Sequence, residues 1–133
     1  MIGHLTCGGV TRSLVPCEWE ETARQNGYAG VIFDCDGTLV ESEEAQFHAF
    51  EQAVAAQGFR FDLSWYLART GLDRRGILTA FAQAFDQSLD IERAASDSIE
   101  AYINAPTPIA PIERVVQFAQ SLEPLPRYMG TNS

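Results

Sequence analysis

The segment Val31-Ile32-Phe33-Asp34-Cys35-Asp36-Gly37-Thr38-Leu39 decides the fold. Three apolar residues run into two carboxylates at i and i+2, and a Gly-Thr turn follows. An uninterrupted apolar run that ends in polar chemistry predicts a buried parallel strand whose carboxyl end opens into a site. Ligands of open α/β sheets lie at that end of the strands. Side chains two apart on an extended backbone point the same way, so Asp34 and Asp36 share one small volume. Gly37 allows the sharp exit that a longer side chain would block. Two carboxylates this close repel each other unless a cation or a proton lies between them. The pattern suits a magnesium-assisted site at Asp34 and Asp36, one aspartate acting as nucleophile and the other as proton donor and acceptor. Mg²⁺ favours hard oxygen ligands and keeps several waters, so one or two carboxylates plus a substrate phosphate satisfy it. A plain solvated turn is the bland alternative, and the flanking Val-Ile-Phe and Gly-Thr argue against it. A calcium loop fails outright. Counted from Asp34, its fifth, sixth and twelfth positions hold Thr38, Leu39 and Ala45, where an EF-hand needs an oxygen ligand, glycine and glutamate.

The residues Phe33-Asp34-Cys35-Asp36-Gly37-Thr38-Leu39-Val40, with Glu41-Ser42-Glu43 after them, closely resemble motif I of the haloacid dehalogenase superfamily. The variant is similar to the branch with a helical cap inserted directly after motif I, which includes phosphoglycolate phosphatases and β-phosphoglucomutases. The resemblance implies that Asp34 is the nucleophile that forms an aspartyl-phosphate. It implies that Asp36 protonates the leaving group and then activates water, with Gly37 shaping the turn and Thr38 helping to orient Asp36. Dehalogenases of the superfamily lack the second aspartate, so Asp36 points to phosphoryl transfer.

Composition narrows the classes. A chain of 133 residues holds one domain, or a domain plus part of another. Hydrophobic residues make up 46%, enough for a globular core, and no segment is long and apolar enough to span a membrane. Net charge is -9, from 18 acidic and 9 basic residues, which gives no general attraction to nucleic acid or anionic lipid. Every basic residue is arginine; the chain has no lysine. Cys7, Cys17 and Cys35 form no disulfide framework, and an odd count fits a reducing compartment. No signal peptide is visible, and the cytoplasm is the expected location.

Residues 1–27 match nothing in the family and read as an N-terminal extension, loosely ordered, with a short helix over Cys17–Arg24 before Gly27. His4, Cys7 and Cys17 lack the paired spacing of a zinc site. From Glu41 the pattern turns helical. Phe47, Phe50 and Val54 recur on one face, with Ser42 as the expected N-cap and Gly58 as the stop. A second helix follows Asp73 with Ile77, Leu78, Phe81, Ala82 and Phe85 on one face. A third runs from Asp90 with Ile91, Ala95, Ile99, Tyr102 and Ile103 together. Three amphipathic helices predict a small bundle, in which Phe47, Phe50, Phe81 and Phe85 are core. His48, beside that stripe, is given no role. In Thr70-Gly71-Leu72-Asp73-Arg74-Arg75, two arginines fall in a helix's first turn, where the dipole disfavours positive charge. The resemblance implies that Arg74, in a Gly-x-x-Arg turn, contacts a distal phosphate of the substrate. The alternative is that both arginines pair with nearby acids such as Asp73.

The segment Ala105–Pro111 is a proline-punctuated return. A fourth helix then carries Ile112, Val115, Val116, Ala119 and Leu122 on one face. The two crossings, Thr38–Ser42 and Pro106–Pro111, are hinge candidates for a cap that excludes water. Arg127-Tyr128-Met129-Gly130-Thr131-Asn132-Ser133 is a short strand ending in a hydroxyl, similar to motif II. On that match Thr131 and the Asn132 backbone bind the transferring phosphoryl group. The chain then departs from the family. Motif III supplies a lysine and motif IV further acidic magnesium ligands, and neither is present.

The expected fold is therefore α/β: an incomplete Rossmann-like parallel-sheet core with two strands, residues 28–40 and 105–133, carrying an inserted α-helical bundle cap, residues 41–104. The expected function is Mg²⁺-dependent hydrolysis of a small phosphorylated metabolite, impaired as a truncated chain. A phosphomutase and a catalytically inactive fragment are the alternatives. The unpaired edge of Val31–Phe33 is expected to favour self-association.

Overall fold

A computed structural model describes residues 3–106 and 108–131. The chain divides into two compact units, one built from residues up to Val40 together with Pro111–Thr131, the other from Glu41–Ala110.

In the first unit, β1 (Gly3–Cys7) and β2 (Val10–Leu14) form an antiparallel hairpin with Cys7 opposite Val10. Its two-residue turn is Gly8-Gly9, at φ 57° and 79°. Both values are left-handed, as the tight hairpin turn that matches strand twist requires. This is an ordered element where a loose extension was expected. Helix α1 (Pro16–Gln25) follows, wider than the expected Cys17–Arg24, with proline in its first turn and Glu18 Oε2 accepting the Val15 N–H at 2.8 Å.

Strands β3 (Val31–Asp34) and β6 (Arg127–Gly130) pair in parallel, Asp34 abreast of Gly130. The α/β class and the two-stranded parallel core are as expected. Burial on both faces is not. Phe33 is 8% exposed and packs with Ala23, Ile112, Val115 and Leu122, whereas Ile32 is 74% exposed. Helix α6 (Glu113–Ser121) and α1 cover one face of the pair, so the strand alternates in burial like a one-sided sheet. Phe118 meets both Trp19 and Phe33 edge-on, at centroid distances of 5.6 and 5.9 Å. The short strands β4 (Val40–Glu41) and β5 (Ala110–Pro111), where the chain crosses between units, pair with each other.

The second unit is a helical bundle: α2 (Glu43–Ala55), α3 (Leu63–Leu67), α4 (Arg74–Ala84) and α5 (Ile91–Ile103). The short α3 is an addition to the three helices expected; it buries Tyr66. Three of the four helices begin at an aspartate whose carboxylate accepts a backbone N–H two or three residues into the helix: Asp62 from Trp65, Asp73 from Gly76, Asp90 from Arg93. Ser42 holds the N-cap position of α2 but makes no side-chain cap bond; it is buried, and Gln46 Nε2 lies 3.5 Å from its Oγ. Asp73→Ala is expected to cost about 1 kcal/mol through the lost cap, read as a lower urea midpoint at unchanged m-value.

The core joins Phe47, Phe50, Phe61, Tyr66, Leu78 and Phe81. Phe85 departs from the expected core; it is 43% exposed and stacks against Phe81 from outside. Helix α5 also turns a different face inward. Ala94, Ala95 and Ser98 are buried, while Ile99 and Ile103 are 48% and 75% exposed. Small side chains let α5 approach α2 closely, and that contact outweighs burying two isoleucines.

Candidate active site

The candidate site is built by the end of β3 and the six residues after it. Cys35 O accepts three backbone N–H groups, from Thr38 at 3.2 Å, Leu39 at 2.8 Å and Val40 at 3.1 Å. Gly37 N–H donates to Val40 O at 2.9 Å, with Gly37 at φ 68°. A side chain at that φ would be strained by about 1–2 kcal/mol, so glycine is what closes the loop. Leu39 O in turn accepts the Ile112 N–H at 2.8 Å, anchoring the loop to the start of α6. No side-chain pattern announces the role of the Cys35 carbonyl, because every residue carries one.

Asp34 is exposed, and Asp36 and Thr38 are half-buried. The register that sets Asp34 beside Gly130 puts Thr131 one residue past the end of the neighbouring strand β6. Neighbouring strands lie about 4.8 Å apart. Asp34, Asp36, Gly37, Thr38 and Thr131 therefore belong to one unit and one end of its sheet. Asn132 lies outside the described residues.

The field of the two carboxylates registers on the residue between them. The Cys35 thiol is pushed above its ordinary value, first by burial, then by the charges of Asp36 and Asp34. Both effects disfavour the thiolate. In metal-free buffer near pH 8, Cys35 is thus expected to alkylate several-fold more slowly than exposed Cys17. Asp36→Asn should raise the Cys35 rate, as mass spectrometry of iodoacetamide adducts would record.

Among the described residues no group of three or more His, Cys, Asp or Glu side chains converges as a metal cage. The donors on offer are the carboxylates of Asp34 and Asp36 with backbone carbonyls of the loop. They are hard oxygens, few in number, and they fit Mg²⁺, which retains water and completes its shell with substrate phosphate.

Arg74 sits in the second unit. Its Nη1 donates to Ser98 Oγ at 3.1 Å, and its guanidinium lies 5.2 Å from the Phe50 ring and 6.0 Å from that of Tyr102. Arg75 makes a two-pronged pair with Glu92, at 2.9 and 2.8 Å, while Asp73 is engaged as the α4 cap. His48 sits at the surface beside Glu51, 3.2 Å away.

A family model for haloacid dehalogenase-like hydrolases matches residues 31–126. The fructose-1-phosphate phosphatase YqaB of Escherichia coli K12 is 30% identical over 74 residues, which is 56% of this chain and 39% of that protein. A hydrolase from Pseudomonas syringae superposes with a TM-score of 0.70 at 22% identity, over 78% of this chain and 50% of that one; it speaks to the fold alone. A HAD family hydrolase from Deinococcus radiodurans, solved with bound phosphate and sodium, superposes with a TM-score of 0.50 at 28% identity, over 80% and 47%. The chain spans half or less of the length of each of these relatives.

Proposed function

The chain belongs to the haloacid dehalogenase-like hydrolase family, and from that premise we propose that its site acts as a magnesium-dependent phosphatase on a small phosphorylated metabolite, through an aspartyl-phosphate at Asp34. The reading is supported above all by the parallel register of Asp34 with Gly130, which sets the turn that follows Asp34 and the residue that follows Gly130 at the same end of the strand pair.

The chemistry balances as follows. An oxygen of the Asp34 carboxylate attacks phosphorus, and the bond from phosphorus to the leaving oxygen breaks. Asp36 delivers its proton to that oxygen. Asp36 then takes a proton from water, whose oxygen attacks the phosphoryl group, releasing inorganic phosphate and restoring Asp34. Thr131 donates its hydroxyl to a phosphoryl oxygen, and Thr38 orients Asp36. Asp34 and the Asp36 carbonyl would hold Mg²⁺, which when bound offsets the charge crowded between carboxylate and phosphate.

Residues 1–133 hold no lysine to meet the transferring phosphoryl group, and a contact of this kind is worth about 10²–10³ in rate, so this stretch assayed by itself is expected to turn over slowly. Similarity to a fructose-1-phosphate phosphatase makes sugar phosphates the first natural substrates to assay. With p-nitrophenyl phosphate, slow hydrolysis that EDTA abolishes and excess Mg²⁺ restores is the expected result. Hydrolysis unchanged by EDTA would overturn the magnesium site, and none above buffer at saturating substrate would favour a silent fragment.

A further inference from the structure

The second unit carries a cleft of about 660 Å³ that is lined by none of the candidate active-site residues and falls within the size range of small-ligand sites. Helix α3 and the residues on either side of it contribute Arg60, Asp62, Trp65 and Arg69, and Phe85 comes from the end of α4. Among the described residues neither Arg60 nor Arg69 forms an ion pair. Acids outnumber arginines 18 to 9 in this chain, so two arginines in one cleft lack carboxylate partners despite an excess of them. Arg69 is held in place. Its guanidinium carbon lies 4.3 Å from the Trp65 ring centroid, and its Nη1 donates to Trp65 O at 3.1 Å. Stacking fixes the plane of the fork and leaves most of its N–H donors for a ligand. Asp62 Oδ1 already accepts the Ser64 hydroxyl at 2.6 Å and the Trp65 N–H at 2.8 Å. Two arginines against one aspartate leave the lining positive. Phe85, 43% exposed and 5.8 Å from the Trp65 centroid, adds an open aromatic face.

We propose that this cleft binds a nucleoside monophosphate, with the phosphate at Arg60 and Arg69 and the base against the open face of Phe85. A phosphate dianion suits two guanidinium groups better than a singly charged carboxylate does. Phe85 and Trp65 supply aromatic surface that an inorganic anion or a bare sugar phosphate would leave in water, whereas a base stacks on it. Asp62 sets the limit on charge. A ligand that meets its carboxylate must bring hydroxyl or amino donors, which favours one phosphate and a sugar over a longer phosphate chain.

The probe is AMP in EDTA buffer, followed by ¹⁹F NMR of protein labelled with fluorotryptophan, the Trp65 signal being assigned with Trp19→Phe. A saturable shift of the Trp65 signal is expected, half complete at about 1 mM or below. Arg60→Gln should weaken binding about tenfold at an unchanged far-UV spectrum. Phe85→Ala should weaken it about fivefold or more through the lost stack. Adenosine (ring without charge) and ribose phosphate (charge without ring) should each bind far more weakly than AMP. Asp34→Asn should bind AMP like the parent chain. No Trp65 shift up to about 10 mM AMP, equal binding of ribose phosphate or adenosine, or full affinity in Arg60→Gln would each overturn the proposal. Affinity lost in Asp34→Asn but kept in Arg60→Gln would place the nucleotide in the phosphatase site instead. A Trp65 signal that moves with protein concentration alone would mean that a second copy covers the cleft, and would also overturn it. None of these readouts involves turnover, so they stand or fall apart from the phosphatase reading.

Discussion

Asp34→Asn is expected to remove p-nitrophenyl phosphate turnover by at least about three powers of ten, some 4 kcal/mol of transition-state stabilisation, while leaving the fold intact. The side chain is exposed and the amide nearly isosteric, so urea midpoints of the two proteins should coincide. The loss has a chemical cause. A carboxylate offers an anionic oxygen to phosphorus; a neutral amide does not, and no acyl-phosphate can form. Removing the nucleophile of a covalent mechanism commonly erases most of the catalysis that does not come from binding alone. Asp36→Asn should behave differently. Nitrophenolate leaves without help from a proton, so this variant should still release about one equivalent in a burst and then stall, because nothing activates the water. Mass spectrometry would show the trapped adduct on Asp34. A burst in Asp34→Asn, or equal steady rates in both variants, would exchange or abolish the assigned roles. A turnover-independent check is beryllium fluoride with Mg²⁺: bound fluorine signals should appear in the ¹⁹F NMR spectrum of the parent chain and vanish in Asp34→Asn.

Much of this was legible in sequence because it rests on short-range rules. The DxD turn, its glycine and the parallel strand before it are local: apolar run, i and i+2 alternation, left-handed φ. So are Asp73 and Asp90 as helix starts, which the hydrophobic periodicity and residue type indicate together. What escaped depends on who packs against whom. The run Val31-Ile32-Phe33 reads as interior because nothing local says that only α1 and α6 will cover it, leaving Ile32 bare. Helix α5 offers two apolar stripes, one of isoleucines and one of small residues. Which turns inward is decided by the close approach of α2, a tertiary event. The β1–β2 hairpin is a different case. Its signal, Gly8-Gly9 between alternating strands, is in the sequence and has the ordinary meaning of a tight turn. The organising carbonyl of Cys35 has no sequence signal at all.

Phe81→Ala is the substitution expected to cost the fold most. Phe81 is 2% exposed, and its ring centroid lies 5.1 Å from Phe61, 5.6 Å from Trp65 and 5.1 Å from Phe85. Truncation removes the ring around which three others are arranged, so the loss combines transfer of the missing atoms with a cavity that aromatic neighbours refill poorly. Such changes cost about 3–5 kcal/mol. Against the 5–15 kcal/mol typical of whole domains (about a third of it,), that should lower the melting temperature of a unit this size by roughly 15–30 °C. Phe81→Leu, which keeps much of the volume, should cost nearer 1 kcal/mol. Each unit carries its own reporter, Trp19 in the first and Trp65 in the second. In single-tryptophan backgrounds, the Trp65 transition should fall steeply in Phe81→Ala while the Trp19 transition moves far less. The exposed position of Phe85 offers the one route to relief, since that ring could swing inward. A cost below 1 kcal/mol would mean that it does, and that the bundle core is not held by Phe81 in the way its ring contacts indicate.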